Sequence, residues 1–199
     1  MRIDIELTQE YSYKTLKSFA KDLGETIVKI SDCLLEDERF QSWSGSSRPD
    51  RHHYGDYGLI IHTCEVAKQV FATRLLYPQY EIDKTELFLA ALFHDAGKIY
   101  DYEKIDGVWC STDHKRIIHH ISRSAIMWQK AILLMDDEFQ ERYADPVFHA
   151  ILSHHGLREW GSPVAPKSRV AWLLFFCDGI SARLYDADMV GHTTQKILV

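Results

Sequence analysis

Apolar residues recur at helical spacing along most of the chain and predict a protein built mainly from α-helices. Over residues 13–35 they return every three or four positions, which predicts one amphipathic helix that Gly24 could disturb. A second helix is predicted over residues 59–76, ending ahead of a proline. Residues 83–93 are apolar almost all round behind an Asp83 N-cap, so this third helix should be central and buried.

Beyond the third helix the pattern predicts one hairpin and three more helices. Residues 99–112 flank an Asp106-Gly107 pair, which favours the two-residue turn of a β-hairpin. The three helices are predicted over residues 113–135, 145–156 and 168–185. The first seven residues alternate apolar and polar, which predicts a short strand or an extended arm. The predicted fold class is therefore all-α, a bundle of six or more helices with one small β-hairpin.

Composition narrows the class of protein further. The chain has 199 residues, 46% hydrophobic and 26% charged, which are ordinary values for a soluble globular protein. It shows no apolar stretch long enough to span a membrane, so no membrane partner is expected. Four widely spaced cysteines predict a reducing, cytoplasmic location. The formal net charge of -6 argues against broad nucleic-acid binding but leaves room for a local basic cleft.

The chemistry is concentrated where the buried third helix ends, at an adjacent His94 and Asp95. An imidazole and a carboxylate are costly to bury without a partner, and both are good ligands for a divalent metal. Asp178 lies in another apolar run, where a carboxylate requires a cation or several donors. Further histidines lie in or beside apolar helices, namely His62, His119 or His120, His154 and His155. Each alone is compatible with a satisfied core residue, but together they predict one metal site.

These motifs resemble the HD superfamily of metal-dependent phosphohydrolases, with the order H…HD…D. The sequence Leu-Phe-His94-Asp95-Ala-Gly-Lys98 carries the HD motif. Matching segments over residues 52–67, 117–121 and 151–166 extend the resemblance to the catalytic domain of YhaM-type 3′–5′ exoribonucleases. The Ser-His-His-Gly and Gly-Ser-Pro-Val pieces in the last segment are the specific part. We therefore expect an N-terminal helical extension, residues 1–50, and an HD phosphohydrolase domain, residues 51–199.

The resemblance implies a two-metal site. The metal ligands that it implies are His62, His94, Asp95 and Asp178 for one ion and His120, His154 and His155 for the other. Asp95 and Lys98 are the expected catalytic residues, with Lys98 facing a phosphate or developing charge. The expected substrate-binding residues are His52, His53, Lys98, Arg116 and Arg123, the two arginines flanking His120 at helical spacing. The cofactor is one or two divalent ions, with Mn favoured and Fe, Ni, Co, Mg or Zn as alternatives.

Three functions are consistent with this sequence. The first is a phosphodiesterase that uses a metal-activated hydroxide on an oligonucleotide or the 3′ end of RNA or DNA. The alternative is a nucleotide phosphohydrolase of the 5′-nucleotidase or (d)NTPase type that acts on free mononucleotides. Compact length, acidic charge and a helical segment where the exoribonucleases carry an OB-type domain favour this alternative. The third is a non-catalytic HD scaffold, which the complete ligand set disfavours. The expected partner is a nucleotide or short nucleic acid, and a homodimer is left open.

Overall fold

Helices make up most of the structure, a computed structural model that describes residues 8–197, with side chains through residue 184. The helices and strands are α1 (Gln9–Leu23), α2 (Glu25–Leu35), α3 (Glu38–Ser42), α4 (Gly58–Leu75), α5 (Lys84–Phe93), α6 (Lys98–Asp101), β1 (Tyr102–Ile105), β2 (Val108–Ser111), α7 (Asp113–Ile117), α8 (His120–Ile132), α9 (Asp137–Ser153) and α10 (Arg169–Ile197). A 3₁₀ turn, Arg158–Trp160, lies between α9 and α10. The predicted all-α bundle with one small hairpin is confirmed. The predicted N-terminal strand or arm, residues 1–7, lies outside the described residues.

Helix α5 is the centre of the bundle. It contacts α1, α2, α4, α8, α9 and α10, and every residue from Leu87 to Phe93 is buried. This explains why its sequence is apolar all round, since a helix surrounded by other helices has no solvent face. The Asp83 carboxylate caps the helix by accepting hydrogen bonds from the backbone N–H groups of Thr85 and Glu86. Burial on all sides fixes the end of α5, and with it the His94-Asp95 doublet, inside the protein.

The single helix predicted over residues 13–35 is in fact two helices, α1 and α2, and they are separated at Gly24, the residue expected to disturb it. Gly24 has φ 117° and ψ 169°, a backbone conformation that glycine adopts far more readily than other residues. Its N–H group donates to the carbonyls of Ala20 and Lys21 and so closes α1. Both helices bury apolar side chains in the same core as α4 and α5. The division of the chain near residue 50 stays a prediction.

A continuous helix over residues 113–135 is also wrong. The chain breaks at His119, which has φ 69° and ψ 147°, so α7 and α8 are separate helices. The first residue of α8, His120, donates its backbone N–H to the Asp101 carboxylate at 3.1 Å rather than to a preceding helical carbonyl. Arg116 on α7 and Arg123 on α8 therefore do not share one helical face with His120, in contrast to the sequence prediction.

The start of the next helix also differs from the sequence prediction. Helix α9 begins after Asp136, whose side chain accepts from the N–H of Phe139, so Pro146 lies inside the helix rather than in its first turn. The loss of one N–H donor at Pro146 is offset by the burial of the following apolar residues in the core. The hairpin is confirmed with its Asp106-Gly107 turn, where both residues have positive φ.

Among the described residues, no helix combines the length and apolar character needed to cross a membrane.

Candidate metal centre

Four of the predicted ligands meet beyond the C-terminal end of α5, and we call them the first cluster: His62, His94, Asp95 and Asp178. His62 Nε2 lies 3.0 Å from Asp178 Oδ1 and 3.3 Å from Asp95 Oδ2. The Nε2 atoms of His62 and His94 are 3.3 Å apart. Helices α4 and α10 thus deliver a histidine and an aspartate to the doublet that follows α5, although they are far apart in sequence.

The other carboxylate oxygen of Asp95 faces three more histidines, the second cluster: His120, His154 and His155. Asp95 Oδ1 lies 3.4 Å from His120 Nε2 and 3.6 Å from His154 Nε2. The ring of His155 is centred 4.4 Å from that of His154 and 5.3 Å from that of His120. Asp95 therefore stands between the two clusters with one oxygen towards each.

Three buried polar atoms at this junction have no hydrogen-bond partner among the described residues: Asp95 Oδ1, His120 Nε2 and His154 Nε2. Such atoms are costly to bury unpaired, and they are rare in folded proteins. The donor atoms of each cluster lie within 4.8 Å of one another, imidazole nitrogens and carboxylate oxygens in the first cluster and imidazole nitrogens in the second. Both sets suit a divalent transition metal. The residues present therefore fit the metal that the sequence predicts.

The pKa values of the histidines in the two clusters are also consistent with a bound cation. Burial lowers the pKa of His62, but its hydrogen bonds to Asp178 and Asp95 outweigh burial and raise that pKa to about 9. Without a metal, a proton on His62 is thus held between two carboxylates. Burial lowers the pKa of His120 to about 3 and that of His155 to about 4. Both are neutral at pH 7, which is the form of imidazole that binds metals.

Hydrogen bonds to backbone oxygens orient three of the candidate ligands. Each Nδ1–H group donates at 2.7–2.8 Å: His94 to Ala91, His154 to Ile151 and His155 to Trp160. An imidazole that donates through Nδ1 presents Nε2 to the metal, so these contacts fix both the tautomer and the ring orientation.

Asp101 is a site residue that the sequence pattern did not predict. It is fully buried, and its Oδ2 accepts from both the backbone N–H and Nδ1–H of His120 at 3.1 Å. Its Oδ1 accepts from His114 Nδ1–H at 2.7 Å, and Arg123 Nε–H donates to His114 Nε2 at 3.0 Å. The one signal in the sequence is an aspartate among apolar and aromatic residues just after the HD motif.

A second outer chain of hydrogen bonds supports His62. Its Nδ1–H donates to Ser181 Oγ at 3.1 Å, and the serine hydroxyl donates to Glu65 Oε2 at 2.7 Å. His53 Nε2 lies 3.0 Å from the same carboxylate oxygen. The structure therefore places His53 behind His62, whereas its neighbour His52 lines the cleft that opens above the clusters.

The remaining predicted residues have different positions. Lys98 lines the cleft, with its Nζ 2.6 Å from Asp95 Oδ2. Arg116 is bonded to Asp113 at 3.2 Å, its side chain is 76% exposed, and it does not line this cleft. Arg123 contacts His114 and the ring of Tyr100 rather than the cleft. The structure therefore brings Lys98 and His52 to the clusters but not the two arginines.

The cleft has a volume of about 610 Å³, and its walls differ in character. Its floor carries ligands of both clusters together with Lys98 and His52. One wall is formed by Trp160, Phe175 and Phe176, and a cleft of this size accommodates a small organic molecule. An apolar wall beside a polar floor suits a ligand with an aromatic part and an anionic part.

Comparison with known proteins identifies the family. The profile of the HD domain matches residues 59–183. The chain belongs to the HD domain family. Among the curated relatives of this HD domain, the 3′–5′ exoribonuclease YhaM of Oceanobacillus iheyensis is 32% identical over 148 residues, 73% of this chain and 44% of that protein. The protein of the same name from Bacillus subtilis is 27% identical over 173 residues, 86% of this chain and 52% of its own length.

The chain spans about half the length of the curated relatives it matches. No solved structure matches the chain. The predicted resemblance to the HD superfamily is confirmed, and family and relatives together support an assignment to the metal-dependent hydrolases.

Proposed function

We propose that this HD domain is a metal-dependent phosphodiesterase that hydrolyses phosphoester bonds of an oligonucleotide or at the 3′ end of a nucleic acid. The observation that carries the proposal is the position of Asp95, with Oδ2 in the first cluster and Oδ1 facing the second. A carboxylate shared by two ligand groups is suited to a pair of divalent ions that act on a phosphoryl group. The activity for which the relatives are named adds nucleic acid as the substrate class.

Each cluster has a defined part in this proposal. The first cluster would hold one divalent ion, and the second cluster together with Asp95 would hold the other. We propose Mn²⁺, because the donors mix imidazole nitrogen with carboxylate oxygen. Bound divalent ions supply a water of lowered pKa and neutralise charge on the phosphoryl oxygens. The outer hydrogen bonds keep the imidazoles aimed inward, so little reorganisation is needed when substrate binds.

Lys98 and His52 are the proposed substrate contacts in the cleft. Burial lowers the pKa of Lys98, but the charge of Asp95 outweighs burial and raises it, so the ammonium stays protonated. A fixed positive charge at this place stabilises negative charge that develops on a phosphoryl oxygen. Burial lowers the pKa of His52 to about 2, so its imidazole meets the substrate as a neutral group.

A substrate panel tests the proposal. In the presence of Mn²⁺, 3′-labelled RNA and DNA, dinucleotides and mononucleotides are compared, and we expect nucleotides to be released from the labelled 3′ end. Asp95→Asn should abolish hydrolysis and lower the bound metal. The matched control is Asp113→Asn, which changes a carboxylate whose side chain is 84% exposed and should leave both unchanged. Hydrolysis of mononucleotides alone would instead establish the 5′-nucleotidase or (d)NTPase alternative. Bound metal without hydrolysis of any substrate would favour the scaffold.

Three further expectations stay predictions. The four cysteines are free thiols, which suits the predicted cytoplasmic location. A homodimer and the division into residues 1–50 and 51–199 are the other two. The N-terminal helices share the core of the HD domain, so removing them would expose apolar residues of α4 and α5.

A further inference from the structure

We propose that one wall of the cleft binds the nucleobase of the nucleotide whose phosphate lies at the metal centre, by stacking. This wall, the aromatic wall, consists of Trp160, Phe175 and Phe176. The proposal rests on the proposed function and extends it, because it defines how the substrate is held and which substrates are accepted.

The first argument is the exposure of the aromatic wall. Trp160 is 54% exposed and Phe176 is 56% exposed, although both are large apolar side chains. The ring centroids of Phe175 and Phe176 are 5.0 Å apart, and those of Trp160 and Phe175 are 6.2 Å apart, so the rings form one contiguous surface. Contiguous exposed apolar surface in a cleft marks a binding site, and flat rings suit a flat partner.

The second argument is that the aromatic wall is joined to the candidate ligands. His155 Nδ1–H donates to the backbone oxygen of Trp160 at 2.8 Å, so a candidate ligand of the second cluster is bonded to a residue of the aromatic wall. Gly156 has φ 78°, and a Cβ at this position would lie 2.4 Å from the ring of Phe175. The loop after His155 therefore packs directly against the wall. The base of a nucleotide would thus contact the aromatic wall while its phosphate lies at the second cluster, and the loop after His155 joins these two parts of the cleft.

The third argument is the chemistry of the lining. The polar side chains that line the cleft are those of the candidate ligands and of Lys98, His52 and Arg183, whereas Gly179, Ile180 and Ala182 line it without polar side chains. Gly179, Ile180 and Ala182 thus offer a base no side-chain donor or acceptor, so contact with the aromatic rings carries the interaction that we propose. The formal net charge of -6 does not favour general attraction to phosphates, so stacking would add affinity to the local contacts of the phosphate with the metal centre and Lys98. Stacking tolerates any base, because every base has a π-face, but it requires a base released from a duplex.

Equilibrium binding tests the aromatic wall without relying on hydrolysis. The protein is loaded with Ca²⁺, and calorimetry compares AMP, GMP, CMP and UMP with ribose 5-phosphate, which carries the phosphate but no base. We expect all four nucleotides to bind at least about five-fold more tightly than ribose 5-phosphate. Trp160→Ala should remove most of this advantage, and Trp160→Phe should keep part of it. Tyr77→Ala, at a 44% exposed ring that does not line the cleft, is the matched control and should have no effect.

The outcomes are separable. Equal affinity for ribose 5-phosphate and nucleotides, or a base advantage that survives Trp160→Ala, would overturn the proposal. A dimer that Trp160→Ala dissociates without any change in nucleotide affinity would show that a second copy covers the wall, which also overturns it. Base-dependent binding by a protein that hydrolyses no nucleic acid would support the aromatic wall while refuting the proposed function.

Discussion

Replacing Asp101 by asparagine tests whether the outer hydrogen bonds determine how the second cluster binds metal. Arg123 donates to His114 Nε2, so the ring proton of His114 is on Nδ1 and donates to Asp101 Oδ1. Asp101 Oδ2 accepts from two N–H groups of His120. Asparagine has one acceptor oxygen and one amide group that only donates. Whichever way it turns, a donor faces a donor, either at His114 or at His120.

The magnitude follows from these contacts. Loss of an outer partner of a ligating histidine lowers metal affinity by about 10- to 100-fold, which corresponds to roughly 1.4–2.7 kcal/mol. A buried donor left without an acceptor costs about 1–3 kcal/mol of folding free energy. Asp101→Asn should therefore weaken metal binding at the second cluster by about ten-fold or more and lower the free energy of unfolding.

Titration calorimetry with Mn²⁺ and chemical denaturation of the metal-free protein measure the two effects separately. Asp113→Asn, which alters an exposed carboxylate paired with Arg116, is the control and should change neither quantity. If Asp101→Asn binds Mn²⁺ with the affinity of the unaltered protein, the reasoning is refuted, because His120 would then be either correctly held without Asp101 or not a ligand.

Three further substitutions test the backbone around the centre. Gly97→Ala would place a Cβ 2.4 Å from the carbonyl oxygen of His120, so we expect it to cost about 1–3 kcal/mol in unfolding measurements. At Gly179 an added Cβ would have no atom within 4 Å, so Gly179→Ala should leave the free energy of unfolding unchanged or raise it. Equal changes in the free energy of unfolding for Gly97→Ala and Gly179→Ala would contradict this reasoning. His119→Gly should raise the free energy of unfolding by about 1 kcal/mol. The backbone angles of His119, φ 69° and ψ 147°, strain every residue except glycine. A loss of bound metal in this variant would instead identify His119 as a ligand.

The sequence predicts the helices and the convergence of ligands for one physical reason. Charged or ionisable residues inside apolar runs must find partners, and the runs themselves must bury against one another. His94, Asp95 and Asp178 meet both conditions in the sequence alone. In the folded chain His94 Nε2 lies 3.5 Å from Asp95 Oδ2 and 3.7 Å from Asp178 Oδ1. Local turn chemistry is equally informative at the hairpin, where Asp106-Gly107 leaves few alternatives.

Partners that are distant along the chain could not be predicted in this way. The bond between His62 and Ser181 joins residues 119 positions apart, and nothing in the local pattern of either residue indicates the other. Ser181 is one of many serines in helices, and Glu65 has the spacing of an ordinary surface residue on α4. Their functions arise only when α4 and α10 pack together. The helix break at Gly24 is different, since glycine tolerates many conformations and only the core decides which one it adopts.

The helix break at His119, which the sequence did not predict, lies beside the candidate metal centre for a physical reason. In a continuous helix, the backbone N–H of His120 would bond the carbonyl of the preceding turn and be unavailable to a side chain. Because the chain breaks before His120, Asp101 can accept from both the backbone and the ring of this residue. The strain at His119 is thus the condition for holding His120 rigidly towards Asp95. Strained backbone conformations that persist in folded proteins concentrate at functional sites, where the surrounding contacts enforce them. A helical pattern that fails beside a candidate ligand therefore supports the assignment of His120 to the second cluster.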